Sequence, residues 1–549
     1  MRVLKNPGRW AAVAAAVVMI AAGCSPEKRS FQDTGAGGGG TGGGPGSGGG
    51  APAGDFVFAV VPLEAKVPYD GYNLIEVTVG RGAGFEGAVE VTAEAPPAGL
   101  TAEPLVIPPG DSSGAFRVGA SGNLQIGARF TLKLSAKSGD LVRTAEVPAT
   151  VTGKFGTLDT TFAGTGVYSR VLGPDGGPLL DVLALNEGGI VASGARYGIG
   201  GSVFAVVKVS DGGVPDAGFG MNGMKTTPFC QCSESATAMA VGRQVSGKIV
   251  AAGPRLQGGR DLALARYRDS GLEDAPFGDG QGKKVQDLGA DEEAFDMVVA
   301  PDDKLVLVGT QNDQFLVARF TAEGWPDGAF GNGSGYATFA VPGQARAAAI
   351  DGQGRMVVAG TAVGNNQSEV AVLRLLPDGS VDTSFGGGSA SVVLLGPAST
   401  DERAAAVSIL PNGGILVAGD TTGGDGDFVV WRLREDGTLD STFGTEGRAV
   451  VSATDGLDEA TDMEVLPDGR VVLLGNTISG NQTLGIALVR LLRDGKLDPT
   501  FGEGGIAQPF VGASPHVWGL DAQADGKLVI AGESGEAFPG PGIIARLWN

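Results

Sequence analysis

The stretch LDSTFGTEG, Leu439–Gly447, decides how this chain is read. Alone it is a polar turn: Asp and Thr can hydrogen-bond nearby backbone, and Gly takes left-handed conformations freely. Its core, Asp-x-x-Phe followed by a small residue, recurs seven times, at Phe162, Phe219, Phe277, Phe330, Phe385, Phe443 and Phe501. The spacings are 57, 58, 53, 55, 58 and 58 residues. Such a period marks supersecondary units that bury their apolar faces against neighbouring copies.

Two further phrases keep step with the turn. One is GGIVASG, GKIVAAG, DKLVLVG, GRMVVAG, GGILVAG, GRVVLLG and GKLVIAG; the other is FAVVKV, LALARY, FLVARF, VAVLRL, FVVWRL, IALVRL and IIARLW. Runs apolar on both faces suit strands covered on both sides. Each period then reads as four strands, here lettered A to D. In one unit these are ATDMEVL, RVVLLG, IALVRLL and GIAQPF, with PDG turning A into B. Seven four-stranded antiparallel units predict a seven-bladed β-propeller. A β-solenoid is the alternative, but its coils would be unusually large. The three phrases resemble the delta-60 repeat family of bacterial secreted and surface proteins over about residues 154–549. That resemblance implies a propeller-like β fold and brings no established activity or catalytic residue.

The ends of the repeat region predict how the ring closes. LDTTFAGTGVYSR, Leu158–Arg170, supplies only a turn and a D strand, while the last unit stops after strand C at IIARLWN. Pairing these segments would remove two exposed sheet edges. Strand C also carries a cation at one fixed place: Lys208, Arg266, Arg319, Arg374, Arg432, Arg490 and Arg546. Eight residues later comes the turn Asp: Asp216, Asp274, Asp327, Asp382, Asp440 and Asp498. Asp159 and Arg546 are left over, and closure predicts that they form the seventh pair. Each Asp is expected to cap its turn and each Phe to plug the space between blades. Read as calcium loops, these turns lack the oxygen ligands and the closing Glu of an EF-hand-like site.

Upstream the composition changes twice. Arg2, Lys5 and Arg9 precede an apolar run, Trp10–Ala22, which reads as a secretion signal too short for a stable membrane span. Ala21-Ala22-Gly23-Cys24 resembles the bacterial lipobox. The resemblance implies that residues 1–23 are a lipoprotein signal peptide and that Cys24 is diacylated, anchoring the protein to a membrane; Ser25 points to the outer membrane. Residues 24–54 are Gly-rich and read as a flexible tether. Residues 55–153 alternate with period two in short runs such as NLIEVTVGR and ARFTLKLSAKSG. Roughly seven strands in such a length predict an immunoglobulin-like β-sandwich. Its run APPAGLTAEPLVIPPGDSSGAFRV resembles bacterial surface immunoglobulin-like modules, which are spacers more often than sites. The fold class is therefore all-β, a seven-bladed β-propeller preceded by an immunoglobulin-like sandwich.

Function is less legible. A net charge of −21 opposes nucleic acid and anionic surfaces as partners. The A–B and C–D turns are uniform, whereas the B–C and D–A loops vary, and variable loops on a rigid scaffold are where recognition sits. Their acidic clusters, Asp291, Glu292 and Glu293 with Asp401 and Glu402, would favour cationic or metal-bridged partners. Cys230 and Cys232 are expected as a disulfide, with a soft-metal site including His516 as the alternative. His516 is the one histidine, and no GxSxG, HExxH, P-loop or dinucleotide motif occurs. A carboxylate hydrolase or lyase at the channel mouth remains an alternative, with Asp181, Asp296 and Asp462 at one shared strand-A position. The reading reached is a lipid-anchored envelope protein, without catalytic residues, metal or cofactor. It would bind an envelope protein or polysaccharide through the variable face, or else serve a purely structural role.

Overall fold

The computed structural model describes residues 52–549 apart from Leu63 and residues 365–366, 388–391, 397–400, 422–425, 480–481 and 536–538. The expected signal peptide, Cys24 and most of the expected tether lie outside the described residues.

Alternation in the first domain does what period two requires. Asn73–Arg81 buries Ile75, Val77 and Val79 on one face and turns Leu74 and Glu76 outward. It sits in a four-stranded sheet ordered Phe56–Val61, Asn73–Arg81, Ser113–Ala120, Leu100–Ala102. A five-stranded sheet, ordered Ala65–Pro68, Leu141–Thr152, Arg129–Ser138, Val89–Ala93, Leu105–Ile107, packs on it. One core of Phe56, Phe58, Phe116, Leu132 and Leu134 joins the two. Nine strands are present among the described residues where roughly seven were expected. The extra pieces are Leu100–Ala102 and Leu105–Ile107, which pair briefly between prolines.

From Val167 onward the chain forms a β-propeller. A typical unit is the antiparallel sheet Glu402–Ile409, Ile415–Thr421, Phe428–Leu433, Arg448–Val451, and the next is Leu457–Val465, Val471–Ser479, Gln482–Leu491, Ile506–Ala507. Strands B and C are buried on both faces, as their unbroken apolar runs require. In one place D and A fuse. Tyr336–Ile350 pairs first with Gln314–Phe320 and then with Met356–Val363, so no loop separates the two units there. Gly343 makes this passage possible: at φ +129, a Cβ would lie 2.0 Å from the Thr361 carbonyl oxygen.

The final Gly of each strand-B phrase has a specific task. Six inner strands shift register by one residue, for example between Ala404 and Ala406 and between Ala460 and Asp462. Opposite the bulge lies the Gly. A Cβ on Gly309 would stand 1.7 Å from the Glu293 carbonyl oxygen, and one on Gly419 1.9 Å from that of Arg403. The bulge needs that bare backbone.

The strand Val167–Arg170 pairs antiparallel with Gly542–Leu547, in register Val167↔Ala545 to Arg170↔Gly542. Beyond it in the same sheet lie Leu528–Glu533 and His516–Ala522. The two domains also touch here. Lys66 Nζ donates to the Asn549 main-chain oxygen at 2.7 Å, and burial lowers its pKa to about 8. Gly153 presses on the Trp548 ring, where a Cβ would lie 2.2 Å away.

Candidate functional site

The two ends of the propeller differ in kind. At the A–B and C–D turn end, each strand-C cation meets the Asp eight residues on. Nε–Oδ2 distances are 2.9 Å for Arg266–Asp274, 2.7 Å for Arg319–Asp327 and Arg374–Asp382, and 2.8 Å for Arg432–Asp440 and Arg490–Asp498. Lys208 Nζ lies 3.0 Å from Asp216. Arg546 meets Asp159 at 2.8 Å across 387 residues of chain. Each Asp N–H also donates to the carbonyl of its own cation. The second carboxylate oxygen accepts the N–H two residues on, at Thr161, Gly218, Ala329, Ser384, Thr442 and Thr500. In the remaining unit that position is Pro276, which has no N–H, and Arg268 Nε donates instead at 3.2 Å.

The Phe closes the motif. Its ring lies under the guanidinium carbon, 4.6 Å away for Arg490 over Phe501 and 5.0 Å for Arg546 over Phe162. The next unit's turn Gly presses on the same ring: a Cβ on Gly379 would come within 2.7 Å of Phe330. The Arg also reaches that next turn, as when Arg432 Nη1 donates to the Arg493 carbonyl at 2.7 Å. One side chain thus ties its own turn, its own Phe and the following unit. These carboxylates sit below the usual range; at Asp382 the Ser384 hydroxyl contributes most, opposed by burial and helped by Arg374.

At the opposite end, where A strands begin and B strands finish, a cavity of about 300 Å³ opens on the axis. Asp181, Asp296 and Asp462 line it, yet their oxygens hold backbone. Asp181 Oδ2 accepts the Val241 N–H at 2.7 Å, Asp296 the Ala348 N–H at 3.1 Å and Asp462 the Leu520 N–H at 2.9 Å. Each carboxylate staples its inner strand to the next one. Asp521 does the same to Ala184 at 2.7 Å, two positions further along its strand.

Residues directly after the strand-B Gly form a second set of staples, which the sequence reading did not single out. Thr361 Oγ1 accepts from Ala404 N, Asp420 Oδ1 from Ala460 N and Asn476 Oδ1 from Val517 N. The available signal was a polar residue closing an apolar strand. Asp420 also receives Arg403 through Nε at 3.0 Å and Nη2 at 2.9 Å, and Arg403 Nη1 reaches Glu459 at 3.1 Å. Burial pushes the Asp420 carboxyl up to about 7, against the pull of Arg403.

Arg346, His516, Trp518 and Phe295 also line the cavity. The Arg346 guanidinium lies 4.4 Å over the Phe295 ring, and the His516 and Trp518 rings stack at 6.1 Å, 16° from parallel. His516 therefore belongs to this cavity. Cys230 and Cys232 are joined as a disulfide, so neither offers a thiolate to a metal. The acidic clusters also divide. Glu292 is buried and accepts from Leu288 N, Ala290 N and Gln311 Nε2, while Glu402 is buried against Arg448. Glu292 thus clamps its own loop and Glu402 pairs between strands, and this corrects the reading of these two as surface attractants.

Residues 354–385, 410–443 and 466–501 match the family described as "Domain of unknown function (DUF5122) beta-propeller", so the C-terminal region carries repeats of a propeller family. No curated protein matches the sequence. Among solved structures, a protein of unknown function from Dyadobacter fermentans is similar with a TM-score of 0.38 and 13% identity, covering 70% of this chain and 98% of its own. Sqt1 from Chaetomium thermophilum gives 0.36 and 11%, covering 69% and 98%. A quinonprotein alcohol dehydrogenase-like protein from Bacteroides thetaiotaomicron gives 0.34 and 9%, covering 82% and 98%.

Proposed function

We propose that this chain is a lipid-anchored bacterial envelope protein. Its propeller, closed at seven blades and carried on an immunoglobulin-like spacer, binds an envelope ligand at the end where the B–C and D–A loops lie. One observation carries the reading. Side chains at the turn end repeat from unit to unit, whereas at the bulged inner-strand position that lines the axial cavity they differ: Leu180, Phe295, Arg346, Ala405, Thr461 and Trp518. Folding accounts for the repeated set. A shared frame gives no reason for the differing set, and ligand recognition does. The carboxylates at the shared strand-A position, Asp181, Asp296 and Asp462, are engaged by backbone N–H groups.

The test is a pull-down from solubilised envelope with the full chain, set against a triple variant, Arg403→Gln, Glu459→Gln and Trp518→Ala. Losing the captured material with the triple variant is the expected result. Equal recovery by both proteins would remove the case for this end of the propeller.

A further inference from the structure

One unit breaks the repeat at the turn end. Every A–B turn is closed by the same two backbone hydrogen bonds around one residue, and that residue faces the space before the next unit. Leu185, Leu410 and Leu466 fill the space by packing into the neighbouring core. Asp351 instead pairs with Arg355 at 2.6 Å. Gln244 fills it with an amide. Its Nε2 donates to the Asp303 and Ala322 carbonyls of the next unit, both at 2.9 Å, and its Oε1 accepts from Arg266 Nη1 at 3.2 Å. Gln523 likewise accepts from Arg546 at 3.4 Å.

In the remaining unit the residue is Ala300, and a cavity of about 430 Å³ opens there. Its floor is apolar, with Val306, Ile350 and Met356 all buried. The groups that Gln244 engages one unit earlier are present again. Arg319 replaces Arg266, and the turn residues Gly354 and Pro377 stand where Asp303 and Ala322 stand. Arg319 Nη1 donates to the Pro377 carbonyl. The Gly354 carbonyl accepts no hydrogen bond among the described residues.

The surroundings select the class of group that fits. Asp302, Asp351 and Asp378 stand on the rim against Lys304 and Arg319. Both cations are already engaged: Arg319 meets Asp327 at 2.7 Å, and Lys304 meets Asp302 at 3.0 Å. An anion would therefore face three carboxylates, and a cation would face the Arg319 guanidinium. A purely apolar group would bury the Gly354 carbonyl without a donor. A neutral primary carboxamide meets each demand, since it accepts from an Arg and donates to two carbonyls. The volume lies within the range of ligand sites and exceeds one side chain, which leaves room for part of the backbone that carries it.

We propose that the cavity at Ala300 binds a glutamine side chain presented by a turn of a partner polypeptide, as Gln244 is presented within this chain. The site lies at the opposite end from the axial cavity and does not depend on the binding role given to that end.

The experiment is a titration of the full chain, carrying 13C-labelled methionine methyls, with the peptide Arg-Gln-Val-Ser-Gly, which copies residues 243–247. The peptide is capped with acetyl and N-methylamide groups, so that its Gln is the only primary amide. Met356→Leu assigns the methyl signal at the cavity floor. Saturable movement of that signal is expected, with a Kd of about 1 mM, and with affinity about fivefold or more weaker for peptides carrying Leu or Glu in place of Gln. Ala300→Gln supplies the amide from within the chain and should abolish the movement. Ala300→Leu, which fills the same space, should abolish it too, and thermal melting checks that both variants fold. No movement of the Met356 signal, equal affinity for the Leu or Glu peptide, or undiminished binding by both folded variants overturns the proposal.

Discussion

Replacing Arg546 by Gln tests whether the ring is held shut by the same device that holds each unit to the next. Asp159 is fully buried and the Arg546 side chain 3% exposed. The substitution removes two charge-assisted contacts of 2.8 Å to Asp159 and one of 3.0 Å to Asp211, and leaves Asp159 with its Thr161 donors and with Lys527 at 3.4 Å. Breaking a buried pair costs about 3–5 kcal/mol, and the remaining Lys527 places the loss near the lower figure, about 3 kcal/mol. The Arg432–Asp440 pair has the same geometry but is 18% and 21% exposed, so Arg432→Gln should cost about 1 kcal/mol. Urea unfolding followed by Trp fluorescence reads the propeller, since Trp325, Trp431, Trp518 and Trp548 all lie in it. A cycle with Asp159→Asn should return a coupling of about 2 kcal/mol. Burial raises the Asp159 pKa, but Thr161, Arg546 and Lys527 outweigh it and hold the group below 3.8. A depressed carboxylate stabilises above its unfolded value, so the coupling should persist at pH 7 and vanish as the pH falls below about 4. Equal costs for the two Arg variants, or a coupling near zero at pH 7, would refute the seam.

Gly379→Ala should destabilise by about 3 kcal/mol, because φ is +88 and the new methyl meets the Phe330 ring at 2.7 Å; Gly280→Ala, at φ +85 with nothing within 4 Å, should cost about 1 kcal/mol. The two melting curves decide it. Asp420 is raised from 3.8 to about 7 in the folded chain, so its ionisation opposes folding as pH rises through that window. Wild type should therefore gain stability from pH 7.5 to pH 5 by an increment that Asp420→Asn lacks, read as the difference between their urea midpoints, with Arg403 and Glu459 unchanged. Lipidation at Cys24 predicts that incorporation of labelled fatty acid disappears in Cys24→Ala; label persisting in that variant would contradict it.

The repeat was legible because each unit must solve the same packing problem with the same residues. Apolar runs in strands B and C, a Gly for the bulge, and a turn of Asp, Phe and Gly leave a sequence period. The eight-residue offset from Arg432 to Asp440 was legible for the same reason, since the turn between them has one length. Strand edges were less clear. The inner strand Leu457–Val465 begins three residues before the apolar pattern does, because Asp458 supports its start by accepting from Ala453 and Thr454. In Tyr336–Ile350 the pair Pro342-Gly343 has the composition of a turn, yet Gly343 lets an extended chain cross between sheets as one strand. At the cavity the carboxylates of Asp181, Asp296 and Asp462 were visible as a shared position. That they hold neighbouring backbone depends on the bulge, which no single residue announces.

The division of labour between the two ends follows from where each staple reaches. At the turn end, one Arg serves three partners at once, so a change there disturbs the turn, the Phe and the next unit together. At the cavity end, each staple is a small polar side chain meeting one or two backbone groups. Thr361, Asp420 and Asn476 perform it with different chemistry at the same place. A task that a hydroxyl, a carboxylate or an amide can each perform leaves the residue type open. The end that tolerates such exchange can acquire Arg346, Trp518 or Glu459 without loss of the ring, which is how a rigid repeat comes to carry an irregular cavity.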